Sequence, residues 1–278
     1  MMLIKTVEEL KNVLFQINCG GKSVGFVPTM GALHEGHLSL MKRARKENQV
    51  TICSIFVNPT QFNNADDLKH YPRSLEKDIA FVQNYMDFIF APSVEEVYAV
   101  PATEQYHFGD LETVMEGSAR PSHFNGVAII VKRLFDWIQP DRAYFGEKDF
   151  QQIAIIKSLV KQFNLPIQIV PCPIVRDENG LALSSRNMRL SETERQTAAN
   201  IYRVLKESTA IKTKQVFAIQ KFVADELAKF DIFHLEYYEI VNADTLHPIQ
   251  NLDDAPSVVG CIAIYAGEVR LIDNIRYK

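Results

Sequence analysis

The run VTICSIFV, residues 50–57, is β-branched or apolar at almost every position, so it offers no polar face to solvent. Such a strand must be covered on both sides, as in a parallel sheet with crossover helices on its two faces. The flanking segments supply those helices. HLSLMKRARKEN, just before the run, sets Leu38, Met41 and Ala44 on one side at helical spacing, and SLEKDIAFVQNYM follows it as a second helix.

The same alternation runs through the first 175 residues. Thr6 and Glu9 fit a capping box that opens an amphipathic helix bearing Val7, Leu10, Val13, Leu14 and Ile17, which Gly20 and Gly21 end. Strands are predicted over 23–27, in DFIFA, over 141–145 and in IQIVPCPIV; helices are predicted in GVAIIVKRLFDWI and over 150–163, with a long irregular segment up to about residue 125. Repeated strand, helix, strand units with right-handed crossovers predict an α/β fold built on a Rossmann-like, doubly wound parallel sheet. Beyond residue 175 the texture changes to a polar loop, RDENGLALSSRN, then two helices near 191–208 and 216–230, then HLEYYEIV, VVGCIAIYA and VRLID, which read as antiparallel strands. Two domains are expected, residues 1–175 and a smaller α+β C-terminal lid domain over 176–278.

A net charge of −4 gives no general attraction to nucleic acid or anionic membranes, so any anion site must come from a local cluster. Cys19, Cys53, Cys172 and Cys261 lie far apart, with neither a C-x-x-C pair nor a dense disulfide framework, which favours a reducing cytoplasm. No run reaches about 18 apolar residues, and MMLIKTVEELKNVLF lacks the pattern of a signal peptide.

In an open α/β sheet, ligands bind beyond the carboxyl ends of the strands. Four such ends carry polar or glycine-rich material: PTMGALHEGH, NPTQF, GEKDFQQ and RDENGLALSSR. In the first, Gly31 and Gly36 permit close backbone approach, and the helix starting near Gly36 offers unpaired N–H groups and a positive dipole end, a cradle for phosphate. His34 and His37, three residues apart, share a helical face and can donate to one anion. Paired histidines can also bind zinc, but HEGHL puts Leu38 where the H-E-x-x-H pattern needs its second histidine. GKS at 21–23 is no Walker loop, because Gln16 occupies the place of the first glycine. Lys148 suits a phosphate and Asp149 a ribose; Ser184, Ser185 and Arg186 add two hydroxyls and a planar fork of donors on a loop that Gly180 lets move. Ordinary surface turns, a metal-dependent hydrolase, another nucleotidyltransferase and a non-catalytic nucleotide-binding regulator stay open on these residues alone.

With FVPTMGALHEGHLSL, SIFVNPTQF, YPRSLEKD, AYFGEKDFQQ, VRDENGLALSSRN and VRLIDNI in this order, the chain resembles the pantoate–β-alanine ligases of the HxGH nucleotidyltransferase-like superfamily over essentially its whole length. The resemblance implies ATP-dependent condensation of (R)-pantoate with β-alanine to pantothenate, AMP and pyrophosphate through a pantoyl adenylate, with Mg²⁺ accompanying ATP. It implies that Met30, Gly31, Ala32, Leu33, His34, Glu35, Gly36 and His37 bind ATP, with His37 as proton donor and His34 as a second phosphate contact. Gly146, Glu147, Lys148, Asp149, Val175, Leu183, Ser184, Ser185 and Arg186 would complete the nucleotide site, with His37, His34, Lys148 and Arg186 as the catalytic groups. Gln61 would touch pantoate and later β-alanine, and Gln152 would hold pantoate. No metal ligand is assigned, although Asp78 in LEKD is a candidate for Mg²⁺. The implied partners are small molecules, neither nucleic acid nor membrane, in a homodimer. Two departures stand in RPSHFNGV: Ser122 and Asn125 replace the glycine and arginine common in the family. Ser122 is expected to stiffen that loop, and loss of the arginine to weaken an anion contact.

Overall fold

The computed structural model describes residues 1–278, and the side chains of all of them except Asn18 and Cys19. The chain divides into two compact units, Met1–Phe108 with Arg120–Glu147 and Ile155–Pro173, and Gly109–Ala119 with Lys148–Ala154 and Ile174–Lys278.

In chain order the elements up to residue 172 are β1 (Met2–Ile4), α1 (Val7–Cys19), β2 (Val24–Thr29), α2 (Glu35–Glu47), β3 (Val50–Ile55), α3 (Ala65–His70), α4 (Leu75–Val82), β4 (Phe88–Phe90), α5 (Val94–Val97), α6 (Met115–Ala119), α7 (His123–Ile138), β5 (Arg142–Gly146), α8 (Phe150–Gln162) and β6 (Gln168–Cys172). Six strands form one sheet in the order β1-β4-β3-β2-β5-β6, every pairing parallel. Both faces are covered, which is why these strands lack polar sides. Val27, Cys53, Ile89 and Tyr144 point into one layer with Leu38, Met41 and Ala44 of α2 and Val82 of α4. The alternate positions face the other way, where Phe26 meets Phe135 edge-on and Phe90 meets Trp137 of α7. Strand order reverses between β2 and β5, which pair through Gly25 with Arg142 and Phe26 with Ala143. In open α/β sheets ligands bind beyond the carboxyl ends of the strands at such a reversal.

The capping box at the first helix is present: Glu9 N donates to Thr6 Oγ1 at 3.2 Å and Thr6 N to the Glu9 carboxylate at 3.2 Å. Other details differ from the sequence reading. β1 was not expected; three residues are too short to show a period, and the strand exists because Met2, Leu3 and Ile4 pair with Phe88, Ile89 and Phe90, far away in sequence. The stretch before residue 125 is not wholly irregular, since it holds α5 and α6, and α7 begins at His123.

The second unit adds α9 (Glu192–Ala198), α10 (Asn200–Ser208), α11 (Val216–Leu227), β7 (Phe233–Asn242), β8 (Val258–Ala266) and β9 (Val269–Arg276). The expected helix near 191–208 is thus two helices meeting at Ala199. β7, β8 and β9 form an antiparallel sheet in that order, packed through Ile240, Ile262 and Ile264 against Val204 and Leu205 of α10 and Val223 of α11. The short segments 109–119 and 148–154 group with this unit rather than with their sequence neighbours. Glu116 forms a bidentate pair with Arg270, at 2.6 and 3.0 Å, and accepts from Tyr237 Oη at 2.7 Å. Buried Gln151 donates to Leu111 O and Val114 O and accepts from Glu116 N. Among the described residues, no helix is long and apolar enough to cross a membrane.

Candidate active site

The loop between β2 and α2 leaves the sheet beside the strand-order reversal, and its shape is set by a buried acid. Asp78, 5% exposed in α4, accepts from Ala32 N at 3.0 Å and from Leu33 N at 2.8 Å, one with each carboxylate oxygen. Gly31 turns beneath it at φ +81, where a Cβ would lie 2.9 Å from Asp78 Oδ2 and 3.2 Å from Ile55 Cγ2. Ala32 follows at φ +51, a conformation that costs a non-glycine residue about 1 to 2 kcal/mol and is held by the two bonds to Asp78. Thr29 completes the clamp, donating from Oγ1 to Ser54 O at 2.7 Å and accepting from Gly31 N at 3.2 Å. Asp78 is therefore a loop latch, each of its oxygens accepting from a backbone N–H of the turn.

The helix starts one residue earlier than glycine placement suggested, and His34 is its N-cap at φ −144. Its Nδ1 accepts from Gly36 N at 3.1 Å, while Nδ1 of His37 accepts from His34 N at 3.3 Å, a capping box made of two imidazoles. Accepting through Nδ1 leaves the proton of each neutral ring on Nε2. The ring centroids are 4.1 Å apart. His34 and His37 thus belong to one helix N-terminus, where the dipole end favours an anion.

Gln61 lies in a 3₁₀ turn, Pro59–Gln61, and is 9% exposed. Its Nε2 faces the Met30 thioether at 2.7 Å, which brings Gln61 to the first residue of the glycine loop. Two supports that sequence reasoning missed hold this turn. His123 Nδ1 bonds Gln61 O at 2.7 Å. Asn58, 1% exposed, donates from Nδ2 to Gln61 Oε1 at 3.2 Å and to Gly126 O at 3.0 Å. Gly126 must be glycine, since a Cβ there would collide with Thr60 O. The only sequence signal was Asn58 standing three residues before Gln61 in NPTQF. At the end of β5, Gly146 has nothing within 4 Å of a Cβ built on it, and its φ is not in the left-handed region. Glu147 follows and closes this part of the first unit.

The remaining candidates belong to the second unit. Lys148 and Asp149 are joined at 3.2 Å, and Lys148 O accepts from Asn274 Nδ2 at 3.2 Å. Gln151 is spent on structure, whereas Gln152, one position on, is half-buried. Val175 to Leu183 form a tight hairpin: Leu183 N donates to Val175 O, Arg176 pairs with Ala182, and Gly180 makes the turn at φ +99. Arg176 anchors it with a bidentate bond to Asp273, at 2.6 and 2.8 Å, and lies 3.6 Å from the Tyr202 ring. Burial holds the Asp273 carboxyl above its ordinary value, against the pull of Arg176. Leu181 and Ala182 are buried, so this stretch is a pinned hairpin rather than the open loop expected from its composition. Ser184 Oγ accepts from Arg186 N at 3.3 Å and caps the 3₁₀ turn Ser185–Arg189; Ser185 is buried and Arg186 half-buried.

Described cysteines offer no nucleophile: Cys53, Cys172 and Cys261 are buried, and burial pushes the Cys53 and Cys261 thiols up to about 12. Cys19 lies outside the described side chains.

The family profile described as Pantoate-beta-alanine ligase matches residues 2–276. The chain belongs to the pantoate–β-alanine ligase family. It is 53% identical over 281 residues to the pantothenate synthetase of Phocaeicola vulgatus, covering 100% of both chains. It is 52% identical over 280 residues to that of Bacteroides thetaiotaomicron, covering 100% of this chain and 99% of the relative. Among solved structures, the pantothenate synthetase of Thermus thermophilus superposes with a TM-score of 0.93 at 42% identity, covering 100% of this chain and 99% of that one. The pantoate–β-alanine ligase of Francisella tularensis, complexed with β,γ ATP and β-alanine, gives 0.84 at 34% identity, with 100% and 98% covered. Within this family frame, the segments quoted for the resemblance span the chain from Phe26 to Ile275, which is why the match is full-length rather than confined to the H-x-G-H element.

Proposed function

We propose that this ligase activates (R)-pantoate by adenylation, with the Met30 to His37 loop receiving the phosphates of ATP, and that β-alanine then displaces AMP to give pantothenate. The pantothenate-forming activity follows from family membership and from full-length relatives at about half identity. The single observation that carries the residue assignment is the self-capped N-terminus of α2, where two imidazoles present Nε2–H donors beside helix N–H groups at the strand-order reversal.

A carboxylate resists amide formation because oxide is a poor leaving group. Attack of the pantoate carboxylate oxygen on the α-phosphorus of ATP forms the P–O bond of a mixed anhydride and breaks the bond to pyrophosphate. The β-alanine amine then attacks the acyl carbon, loses a proton, and AMP leaves. Both steps are direct displacements by bound substrates, so the protein contributes positioning and charge stabilisation rather than a nucleophile. Negative charge grows on pyrophosphate as it departs. In this reading His37 supplies a proton or hydrogen bond to it and His34 a second contact. Lys148, Arg186, Ser184 and Ser185 neutralise further phosphate charge, while Gly146, Glu147, Asp149, Val175 and Leu183 receive the nucleoside. Removing one pre-aimed donor of this kind typically costs about 3 to 4 kcal/mol in the barrier. The open space before Gly146 supports its assignment, because neither packing nor backbone conformation requires glycine there. Gln61 and Gln152 hold pantoate through neutral amides, which bond its oxygens without pairing the attacking carboxylate as tightly as a cation would.

Mg²⁺ enters with ATP as part of the substrate. Among the described residues no group of three or more His, Cys, Asp or Glu gathers in metal-holding geometry, and Asp78 is occupied by backbone. An ion carried by phosphates keeps most of its waters and needs few protein ligands. A cytoplasmic location and a homodimer complete the proposal; light scattering would report a mass near twice 31.7 kDa for the dimer and one such mass for a monomer.

Purified protein given ATP, Mg²⁺ and pantoate tests the reaction. AMP and pantothenate should accumulate only with β-alanine, together with pyrophosphate. Steady AMP release with β-alanine absent, or product formation without ATP, would overturn it.

A further inference from the structure

The side-chain amide of Gln61 can face a substrate either as a donor or as an acceptor, and the network around it decides which. Gly126 O can only accept, so the Asn58 atom facing it at 3.0 Å must be Nδ2. The same Nδ2 reaches Gln61 at 3.2 Å, which requires Gln61 to turn its Oε1 toward Asn58. Gln61 Nε2 is then left pointing to Met30 and the glycine loop. On its other side, Asn58 Oδ1 receives two hydroxyls, Tyr98 Oη at 2.5 Å and Thr60 Oγ1 at 3.1 Å, which fill its two lone pairs. The phenol is itself held in place: the Arg133 guanidinium sits 5.0 Å from the ring centroid and donates to Val97 O, Val100 O and Glu104. Burial raises the Tyr98 phenol above its ordinary range, so it keeps its proton as a donor.

We propose that Tyr98 is a positioning residue for the first step: acting through Asn58, it fixes Gln61 as a hydrogen-bond donor toward the acidic substrate. The inference rests on the reading that Gln61 holds pantoate and goes beyond it by giving the polarity of that contact and its origin. A carboxylate or hydroxyl oxygen is an acceptor that Gln61 Nε2–H serves; a flipped amide would set oxygen against oxygen. Without the phenol, Asn58 keeps Gly126 O and the Thr60 hydroxyl but loses its shortest donor, so the amide is held less tightly and its grip on Gln61 Oε1 loosens.

Tyr98→Phe removes the hydroxyl while keeping the ring beneath Arg133, so folding should be untouched. Steady-state kinetics are measured for this variant, for Gln61→Ala and for the double variant. The expected result is a pantoate KM raised about three- to tenfold in Tyr98→Phe, as for loss of one neutral hydrogen bond. The ATP KM and kcat should stay within twofold, Tm should fall by a few degrees at most, and Tyr98→Phe should add nothing to the pantoate KM in the Gln61→Ala background. If Gln61→Ala raises the pantoate KM but Tyr98→Phe does not, the relay is wrong while the Gln61 assignment survives. If the Tyr98→Phe effect persists without Gln61, or extends equally to ATP, the phenol acts structurally and the relay is overturned. If Gln61→Ala itself leaves the pantoate KM unchanged, the assignment beneath the relay fails, and the relay with it.

Discussion

Two buried aspartates, one in each unit, hold a candidate ATP-binding stretch by opposite means. Asp78 grips backbone: its oxygens take Ala32 N and Leu33 N and bend the glycine loop through two consecutive positive-φ residues. Asp273 grips a side chain: it clasps Arg176, whose own fork also reaches Gly180 O, and so ties down the hairpin that leads into Ser184 to Arg186. The first device specifies a local conformation, the second a location. A backbone grip can be half kept by an amide, whereas a bidentate ion pair, once broken, strands a buried charge.

Of the two grips, the ion pair is the costlier to lose. Asp273→Ala should destabilise the protein by about 2 to 4 kcal/mol, because the half-buried Arg176 loses its counter-charge and the hairpin its anchor. Urea unfolding measures it, and a loss below about 1 kcal/mol, the scale of an exposed pair, would show that burial is not what matters there. Asp78→Asn should cost less, about 1 to 3 kcal/mol, since one oxygen still accepts while an NH₂ group faces the other backbone N–H. Because the loop it shapes is the proposed phosphate cradle, the ATP KM should rise in Asp78→Asn; an unchanged ATP KM would separate the latch from the site. The smallest effect is expected at Ser122, which sits at φ +66 before α7 without a side-chain cap bond. Ser122→Gly should stabilise by about 0.5 to 1 kcal/mol by relieving that strain, readable as a small rise in Tm.

The departure at Asn125 has a structural use, since its amide accepts from Tyr106 N at 2.9 Å and donates to Glu104 O at 3.3 Å, which stitches the 104–106 segment to α7. Sequence could not show that, because the partners are about twenty residues away and carry no motif. What was legible followed from periodicity and from loop chemistry. VTICSIFV announced a sheet covered on both faces, and the terminal runs announced an antiparallel sheet; both are present. The H-x-G-H loop was legible as a candidate anion site through its glycines and its place after a strand, but not as a histidine capping box, which depends on ring orientation. The latch made by Asp78 was not legible, because a carboxylate on a helix carries no sign of the backbone it meets. Long-range pairing explains the other gaps: β1 is too short for a pattern of its own, and Arg176 finds Asp273 almost a hundred residues later.

In the proposed reaction His37 and Lys148 act on the phosphates of ATP during pantoate activation. Pantoate-dependent exchange of labelled pyrophosphate into ATP reads that step without β-alanine. His37→Ala and Lys148→Ala should each slow exchange at least about tenfold, with Tm unchanged in Lys148→Ala and lowered by only a few degrees in His37→Ala, which loses the cap bond from His34 N. Exchange at the wild-type rate in both variants, or exchange that proceeds equally well without pantoate, would contradict it.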